Sequence, residues 1–512
     1  MTHITTLKTS LISTAATFAI SFAMVPTAFA GPNADCVDGA SSDTLECGDN
    51  SSTTGIHATA IGRNTTAAGF STAIGSNARA IATQSTAVGA FSLTTGTNST
   101  AIGQGSNARA NNATSLGANS LANFVQATAV GSQARATAEA ATALGAGTTN
   151  ATSAQATGVR SVAIGGGNNN TNVGALASGQ DTIAIGSQAS AAFTNGVAVG
   201  SNSSVGASNA SAFGRSANAG GNSATALGFN TEAAGLRSTS LGVNTIAGGE
   251  SSVAVGSSAD ATMNFAIAIG VNAQATQDSV LAVGSGAQAT GVNSTALGGS
   301  ADATGQEATA VGQGAQATGA GATAIGAGNF DTESAQASGD GSVALGGAVY
   351  EADGITLIAA GANASADGAV AVGTGSDARG ENNTAVGSGS FANNTDSTSL
   401  GTNARAQTSN SVAIGSSAVA SGNGAFALGT DSEASASGAV ALGFEANASE
   451  NFAQALGRQS VASGNSSLAV GFQAEASATG AHAIGREARA TENNSQAFGR
   501  DAEALHLSLI HI

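Results

Sequence analysis

The chain has 512 residues, of which 72 are glycine, 17 are phenylalanine, one is tyrosine and none is tryptophan. It contains 31 Asp and Glu residues against 14 Lys and Arg residues, so its formal net charge at pH 7 is −17. This acidic balance argues against binding to nucleic acid or to anionic lipid, because both carry negative charge themselves.

Residues 1–30 are predicted to form a secretory signal peptide. Lys8 supplies a positive charge, residues 11–25 are mostly apolar, and Ala28-Phe29-Ala30 is a small-x-small cleavage site. The apolar stretch is short for a membrane span, which makes a retained anchor the weaker interpretation. We therefore expect an exported chain that begins near Gly31.

Residues 31–54 precede the repeats and contain both cysteines, Cys36 and Cys47. Exported proteins meet an oxidising compartment, so we predict a Cys36–Cys47 disulfide that closes a short N-terminal loop. A metal site is the alternative. It is a weak one, because no third or fourth ligand lies nearby in the sequence.

A short unit returns throughout residues 55–504, and Ser71-Thr72-Ala73-Ile74-Gly75 is one copy of it. With the large apolar residue before the glycine taken as position zero, 31 copies run from Ile61 to Phe498, and 24 of the 30 spacings are 14 residues. Position +1 is glycine in every copy. The pairs that we take as representative structural residues are Ile74 and Gly75, Ile185 and Gly186, Ile269 and Gly270, Ile414 and Gly415, and Ile484 and Gly485.

The alternation within a repeat predicts two short strands separated by turns. Positions −2 and zero share one face of the first strand, and the small residue at −1 lies on the other. The second strand carries alanines at +4 and +6 around a variable residue, as in Ala78-Arg79-Ala80. Stacked coils of constant length predict an all-β parallel solenoid of about 31 coils, with its aliphatic residues in ladders along the interior. The glycine predicts a positive φ or a close backbone approach.

A coil of 14 residues is thin, and its first strand is apolar or small on both faces. A strand buried on both sides needs a second covering layer. We therefore expect one face to fill the coil and the other to pack against another chain, and the sequence does not say which face does which. Closed cyclic symmetry would let identical chains cover one another in this way.

The repeated S-x-A-I-G unit, the 14-residue period and the A-x-A second strand together resemble the head repeats of YadA-like trimeric autotransporter adhesins, over about residues 55–504. The resemblance implies a left-handed parallel β-roll and a homotrimer. It also implies display at the outer membrane of a Gram-negative cell, on a coiled-coil stalk with a C-terminal membrane anchor, and attachment to extracellular matrix or another surface. The resemblance does not identify any ligand-binding residue.

Insertions interrupt the period near residues 146–155, 166–176 and 327–336. Their Gly- and Asn-rich composition predicts protruding loops, which are either adhesive decorations or tolerated insertions at a corner. Residues 346–373 have irregular spacing and place Ala360 at position zero. We interpret them as a local defect or as a corner between two solenoid runs.

The tail, residues 505–512, departs from the repeat in the middle of a coil. Leu507-Ser508-Leu509-Ile510-His511-Ile512 is what one frame of a common transposase adapter encodes, so we expect a read-through in place of the stalk and membrane anchor. A natural capping strand is the alternative.

We find no catalytic constellation. His57 and His482 are isolated from each other and from other ligands, and neither a P-loop nor zinc-ligand spacing occurs. We therefore predict a non-enzymatic adhesin head without cofactors. The alternative is an ice-binding or matrix-forming solenoid. Position −2 changes irregularly, as in Thr225, Thr239 and Val253, which counts against a regular threonine array, and a thermal-hysteresis assay would decide.

Overall fold

The structure is a computed structural model, and its described part contains strands and turns but no helix, so no helix there is long and apolar enough to cross a membrane. The predicted signal peptide and the tail after residue 505 lie outside the described residues. Two compact units make up the chain, Met1–Gln188 and Ala189–Ile512. The structure describes residues 36–39, 41–168, 173–330, 332–354 and 356–505.

The first unit is a β-solenoid in which each coil has a three-residue strand and a two-residue strand. Its three-residue strands are Cys36–Asp38, Leu45–Cys47, Thr59–Ile61, Thr72–Ile74, Thr86–Val88, Thr100–Ile102, Thr114–Leu116, Thr128–Val130, Thr142–Leu144, Val162–Ile164 and Ile183–Ile185. Its two-residue strands are Ser52–Thr53, Thr66–Ala67, Arg79–Ala80, Leu93–Thr94, Asn107–Ala108, Leu121–Ala122, Arg135–Ala136, Gln155–Ala156 and Leu176–Ala177.

The second unit has the same architecture with one added hairpin. Its three-residue strands are Val197–Val199, Ser211–Phe213, Thr225–Leu227, Thr239–Leu241, Val253–Val255, Ile267–Ile269, Leu281–Val283, Thr295–Leu297, Thr309–Val311, Thr323–Ile325, Val343–Leu345, Val370–Val372, Thr384–Val386, Thr398–Leu400, Val412–Ile414, Phe426–Leu428, Val440–Leu442, Gln454–Leu456, Leu468–Val470, His482–Ile484 and Gln496–Phe498. Its two-residue strands are Ser190–Ala191, Ser204–Val205, Asn218–Ala219, Glu232–Ala233, Ile246–Ala247, Asp260–Ala261, Gln274–Ala275, Gln288–Ala289, Asp302–Ala303, Gln316–Ala317, Gln336–Ala337, Asn363–Ala364, Asp377–Ala378, Phe391–Ala392, Arg405–Ala406, Val419–Ala420, Glu433–Ala434, Asn447–Ala448, Val461–Ala462, Glu475–Ala476, Arg489–Ala490 and Glu503–Ala504. The hairpin strands are Val349–Tyr350 and Leu357–Ala359.

Within each unit, every coil strand pairs in parallel with the equivalent strand of the next coil. In one such pair Ala268 lies opposite Ala282 and Ile269 lies opposite Val283, a shift of one 14-residue period. The pairing keeps each repeat position in its own ladder. This confirms the predicted parallel β-solenoid.

The parallel strand pairing begins one coil earlier than the start of the repeats that the sequence predicts at Gly55. Leu45–Cys47 pairs in parallel with Thr59–Ile61 and antiparallel with Cys36–Asp38. Cys47 therefore occupies position zero, and Gly48 at +1 has the positive φ of that position, 116°. A cysteine in the place of an aliphatic residue concealed this coil.

Residues 346–373, interpreted from the sequence as a local defect or a corner, do not interrupt the strand ladder. Val343–Leu345 pairs directly with Val370–Val372, so the ladder continues as if the residues between them were an insertion. Part of that insertion is the antiparallel hairpin, in which Val349 lies opposite Ala359. Ala360 follows this hairpin and is not position zero of a coil, although Ala359-Ala360-Gly361 imitates the repeat motif.

The core consists mainly of alanine, with serine or threonine at some inward positions, rather than of large aliphatic residues, which corrects the predicted interior ladders. The inward positions are −3, −1, +4 and +6, exemplified in one coil by Ala266, Ala268, Ala273 and Ala275, all fully buried. Among the described residues, the bulkiest fully buried side chains are only of the size of Val280 and Asn383. The layer between the two strand ladders is too thin for larger side chains, so Ile and Leu at position zero face outward.

Candidate functional site

The outward face of the three-residue strands carries a ladder of large apolar side chains at position zero. All of these side chains are at least partly accessible, and many are exposed. The exposed residues at position zero are Ile74, Ile102 and Leu144 in the first unit and Phe213, Leu227, Leu241, Ile269, Ile325, Leu400, Leu442 and Phe498 in the second. Ile185, Ile414 and Ile484 are half-buried. In an acidic, polar chain such a ladder is the most conspicuous surface available for contact with another molecule.

The glycine at +1 is required for two separate reasons. Gly75, Gly270 and Gly415 have φ of 125°, 136° and 135°, values that L side chains rarely adopt. A Cβ on Gly270 would also clash with the carbonyl oxygen of Gly284 in the next coil. Both sequence expectations, positive φ and close backbone approach, therefore hold together. Gly186 and Gly485 have φ of 124° and 142°.

The outward face of the two-residue strands is polar and changes from coil to coil. Arg489 forms an ion pair with Glu475 of the preceding coil at 3.0 Å, and both side chains are substantially exposed. A further pair joins the turns of successive coils in the first unit, where Arg160 binds both carboxylate oxygens of Asp181 at 2.5 and 2.7 Å. The Arg160 hydrogen bond holds the pKa of Asp181 below its usual range. Among the described residues, neither pair belongs to a group of three or more His, Cys, Asp or Glu side chains that could hold a metal ion.

Four insertions in the described part of the chain leave the solenoid at the same point of the coil. In a regular coil the N–H at +4 donates to the carbonyl at +1, as from Ala78 to Gly75 at 3.1 Å. The same hydrogen bond closes each of these insertions. These closures run from Ala154 to Gly145, from Ala175 to Gly165, from Ala335 to Gly326 and from Ala362 to Gly346, at 3.2, 2.8, 3.2 and 2.8 Å.

The two cysteines lie at the N-terminal end of the described part of the first unit. Cys36 and Cys47 are opposite each other in the antiparallel pair, with their Cα atoms 4.2 Å apart and their sulfur atoms 2.10 Å apart. The second strand of the hairpin that they close is also the first strand of the parallel ladder.

The family model of the YadA head domain repeat matches the chain in a series of segments that together cover more than half of its length. The chain belongs to the YadA head domain repeat family. The matched residues are 70–92, 95–120, 125–148, 152–168, 177–203, 207–231, 233–259, 261–287, 281–301, 303–329, 333–348, 360–376, 364–390, 378–404, 392–418, 406–432, 420–446, 434–460, 448–474 and 476–502. No curated protein matches the chain.

YadA head repeats are those of trimeric autotransporter adhesins, a family of adhesins and not of enzymes. Among the described residues, no group of three or more His, Cys, Asp or Glu side chains is placed to hold a metal ion. His57 lies 3.5 Å from Asp43 and stacks obliquely on Phe70, with ring centroids 5.1 Å apart. His482 is half-buried at position −2 of a coil in the other unit.

One feature of this YadA head that sequence reasoning missed is a column of alternating aromatic and basic side chains at position +2. The guanidinium of Arg458 lies 5.5 Å from the ring centroid of Phe444 and 5.7 Å from that of Phe472. Arg486 lies 5.5 Å from Phe472 on its other side. The signal was present in the sequence, because these four residues are spaced by the 14-residue period. Cation–π contacts at such exposed sites contribute about 0.5–1 kcal/mol each.

Proposed function

We propose that the chain is the head of an adhesin that assembles as a homotrimer, is exported and is displayed on the surface of a Gram-negative cell. There it attaches the cell to extracellular matrix, to other cells or to an inert surface. The repetition of coils supports this function, because many weak contacts along one scaffold sum to strong attachment. Membership of the YadA head family supports the same function.

The observation that carries the proposal is the exposed apolar ladder at position zero. The alanine layer already fills the interior of the coil, so this ladder is the face that remains to be covered. Exposed aliphatic ladders of this length are unfavourable on a soluble chain. Three copies related by cyclic symmetry would bury one another's ladder along its length.

Two features near the N-terminus are part of the proposal. Residues 1–30 act as the signal peptide, and the Cys36–Cys47 disulfide forms once the chain reaches an oxidising compartment. The disulfide would then restrain the chain at its entry into the first coil.

The assembly is tested by measuring the mass of the exported chain with light scattering after size exclusion. We expect three times the mass of one chain. A variant with Ile269, Val283 and Leu297 all changed to serine removes three successive rungs of the ladder without touching the alanine layer. It should dissociate at a higher protein concentration than the parent. A folded, monodisperse monomer of the parent chain would contradict the proposal.

Attachment is tested separately, by displaying the chain on beads and measuring their retention under flow on surfaces coated with matrix proteins. We expect retention that rises steeply with the density of chains on the bead. Retention no greater than that of bare beads on every coating would refute the adhesive function, whatever the oligomeric state.

A further inference from the structure

Two insertions of successive coils in the second unit form one structure, which we call the insert knob and define as residues 327–334 and 347–361, with 331 and 355 outside the described residues. The backbone joins them at both ends. The N–H of Ala348 donates to the carbonyl of Ala327 at 2.8 Å, and the N–H of Gly361 donates to the carbonyl of Glu333 at 2.6 Å. The hairpin therefore rests on the preceding insertion.

Tyr350, the only tyrosine of the chain, braces the knob from within. Its hydroxyl donates to Oε2 of Glu333 at 2.7 Å and accepts a short hydrogen bond from the N–H of Asn329. The side-chain amide of Asn329 donates to the carbonyl of Gly354 at 2.9 Å. Burial and the Glu333 contact raise the pKa of Tyr350. These contacts hold the hairpin in one arrangement, which reduces the entropy that binding would otherwise cost.

The braced knob nevertheless exposes large apolar side chains. Phe330 is 65% exposed and Ile358 is 62% exposed, and Val349 and Leu357 are also exposed. The hydrogen bonds that assemble the knob do not involve these four side chains. An apolar group held rigidly in solvent is typical of an interaction site, because burial there costs little ordering.

The charge around the knob is mainly negative, and Arg379 in the adjacent coil forms an ion pair with Asp377. Residues 238–378 contain 12 Asp and Glu residues and no Lys, Arg or His. Glu333, Glu351 and Asp353 lie within the knob itself. A field of this kind attracts cationic partners and repels anionic ones. It also disfavours contact between two knobs, because the described residues of a second knob carry no Lys, Arg or His.

We propose that the insert knob binds a basic protein segment that also carries apolar side chains. The apolar side chains of the partner pack on Phe330 and Ile358, and its lysines and arginines face the surrounding carboxylates. The inference rests on the proposed adhesive function and deepens it, since it names the chemistry of one partner and the place where that partner docks.

The test uses three fluorescein-labelled dodecapeptides with the full exported chain: one of lysine, leucine and glycine, one with serine in place of leucine, and one with glutamate in place of lysine. Binding is measured by fluorescence anisotropy at low and at physiological salt. The test variant is Phe330→Ser combined with Ile358→Ser. The matched control is Phe452→Ser, because Phe452 is 62% exposed in the same unit and lies outside the knob.

We expect the lysine–leucine peptide to bind most tightly, and the double variant to bind it about tenfold or more weakly than the parent, which corresponds to about 1.4 kcal/mol. Phe452→Ser should bind as the parent does. Equal binding by the parent and the double variant would overturn the inference, since attraction would then come from charge spread over the chain. Equal binding of the leucine and serine peptides would also overturn the inference, and so would the absence of binding by every peptide.

Two further readouts separate this inference from the proposed function. If the double variant loses the oligomeric mass of the parent, the knob is a contact between copies and the inference fails. If the parent and the double variant are retained equally on every coated surface in the flow assay, the inference fails while the adhesive function stands.

Discussion

The glycine at +1 is the most constrained residue of the repeat, and a pair of substitutions tests this constraint. Gly270→Ala introduces a Cβ at positive φ and into the carbonyl of Gly284, so the local ladder must shift. Gly341→Ala, at position −4 rather than +1, is a milder control, because φ there is 64°, close to the 52° of Ala140 at the same position of another coil, and nothing lies within 4 Å of the added Cβ. We expect a loss of about 1 kcal/mol in the free energy of unfolding for Gly341→Ala and of roughly 3 kcal/mol or more for Gly270→Ala.

The measurement is urea unfolding followed by circular dichroism, together with hydrogen exchange of the coils on either side. Equal effects of the two substitutions would mean that neither the contact with the next coil nor the φ of 136° makes glycine at +1 special.

Asp260 gives a residue-level prediction of pH dependence. It occupies position +5, where Ile246 and Gln274 are its neighbours in the ladder, and among the described residues no donor reaches its buried Oδ1. Burial raises its pKa. Because the folded-state pKa is the higher one, the carboxyl favours folding when protonated, and this contribution is lost as the pH rises through the raised pKa.

Asp260→Asn should therefore stabilise the second unit at pH 7, have progressively less effect as the pH falls through the raised pKa of Asp260, and have almost none below about 4, the usual pKa of an aspartate. The effect is measured by the urea concentration at the midpoint of unfolding, determined between pH 3 and 8 with on the order of one measurement per pH unit. Glu232→Gln removes an exposed carboxylate at the same position of another coil and controls for the change in net charge. Parallel pH profiles for the parent and Asp260→Asn would contradict the prediction.

At the scale of the element, the two faces of one strand respond in opposite ways to substitution. Ala268→Leu forces a large side chain into the thin alanine layer, and we expect a loss of about 1–3 kcal/mol in the free energy of unfolding. Ile269→Ser, on the adjacent residue, changes only the outward face and should alter association more than folding. Thermal unfolding at two protein concentrations distinguishes the two effects. A concentration-independent loss of similar size in both variants would show that position zero also supports the coil itself.

The strands themselves could be predicted because the period of the sequence is the period of the fold. A spacing of 14 residues places like residues in register, and alternation within the unit assigns Ala268 and Ile269 to opposite faces. Alternation does not say which face is inside. The thickness of the coil determines which face is inside. This thickness depends on how closely the two strand ladders approach each other.

The features that sequence reasoning missed all depend on contacts between coils. Cys47 stands for an aliphatic residue, so its coil is visible only from the pairing with Ile61. Asp353-Gly354 between two apolar pairs is a hairpin signal, but the spurious motif ending at Gly361 competed with it. The brace between Tyr350 and Glu333 joins two insertions, and no local pattern indicates it.

At the scale of the whole molecule, stability in a solenoid is mainly a sum of contacts between neighbouring coils. The Cys36–Cys47 pair therefore should protect only its own end of the first unit. After reduction with dithiothreitol, we expect faster backbone hydrogen exchange from Cys36 through about the first coils. The melting temperature of the rest of the unit should not change. Mass spectrometry of exchange with peptide resolution measures this. A global shift of the melting transition would indicate cooperativity well beyond neighbouring coils.

The shared hydrogen bond that closes the four insertions has a consequence for engineering. A graft between positions +1 and +4 of a coil leaves both ladders and the closing hydrogen bond in place, whether the added segment is a short loop or a hairpin. The head can thus serve as a display scaffold, in which a foreign peptide is placed on a chosen coil at a chosen spacing from the next. Vaccine epitopes or enzyme recruitment tags could be arrayed at intervals of one coil without redesign of the core.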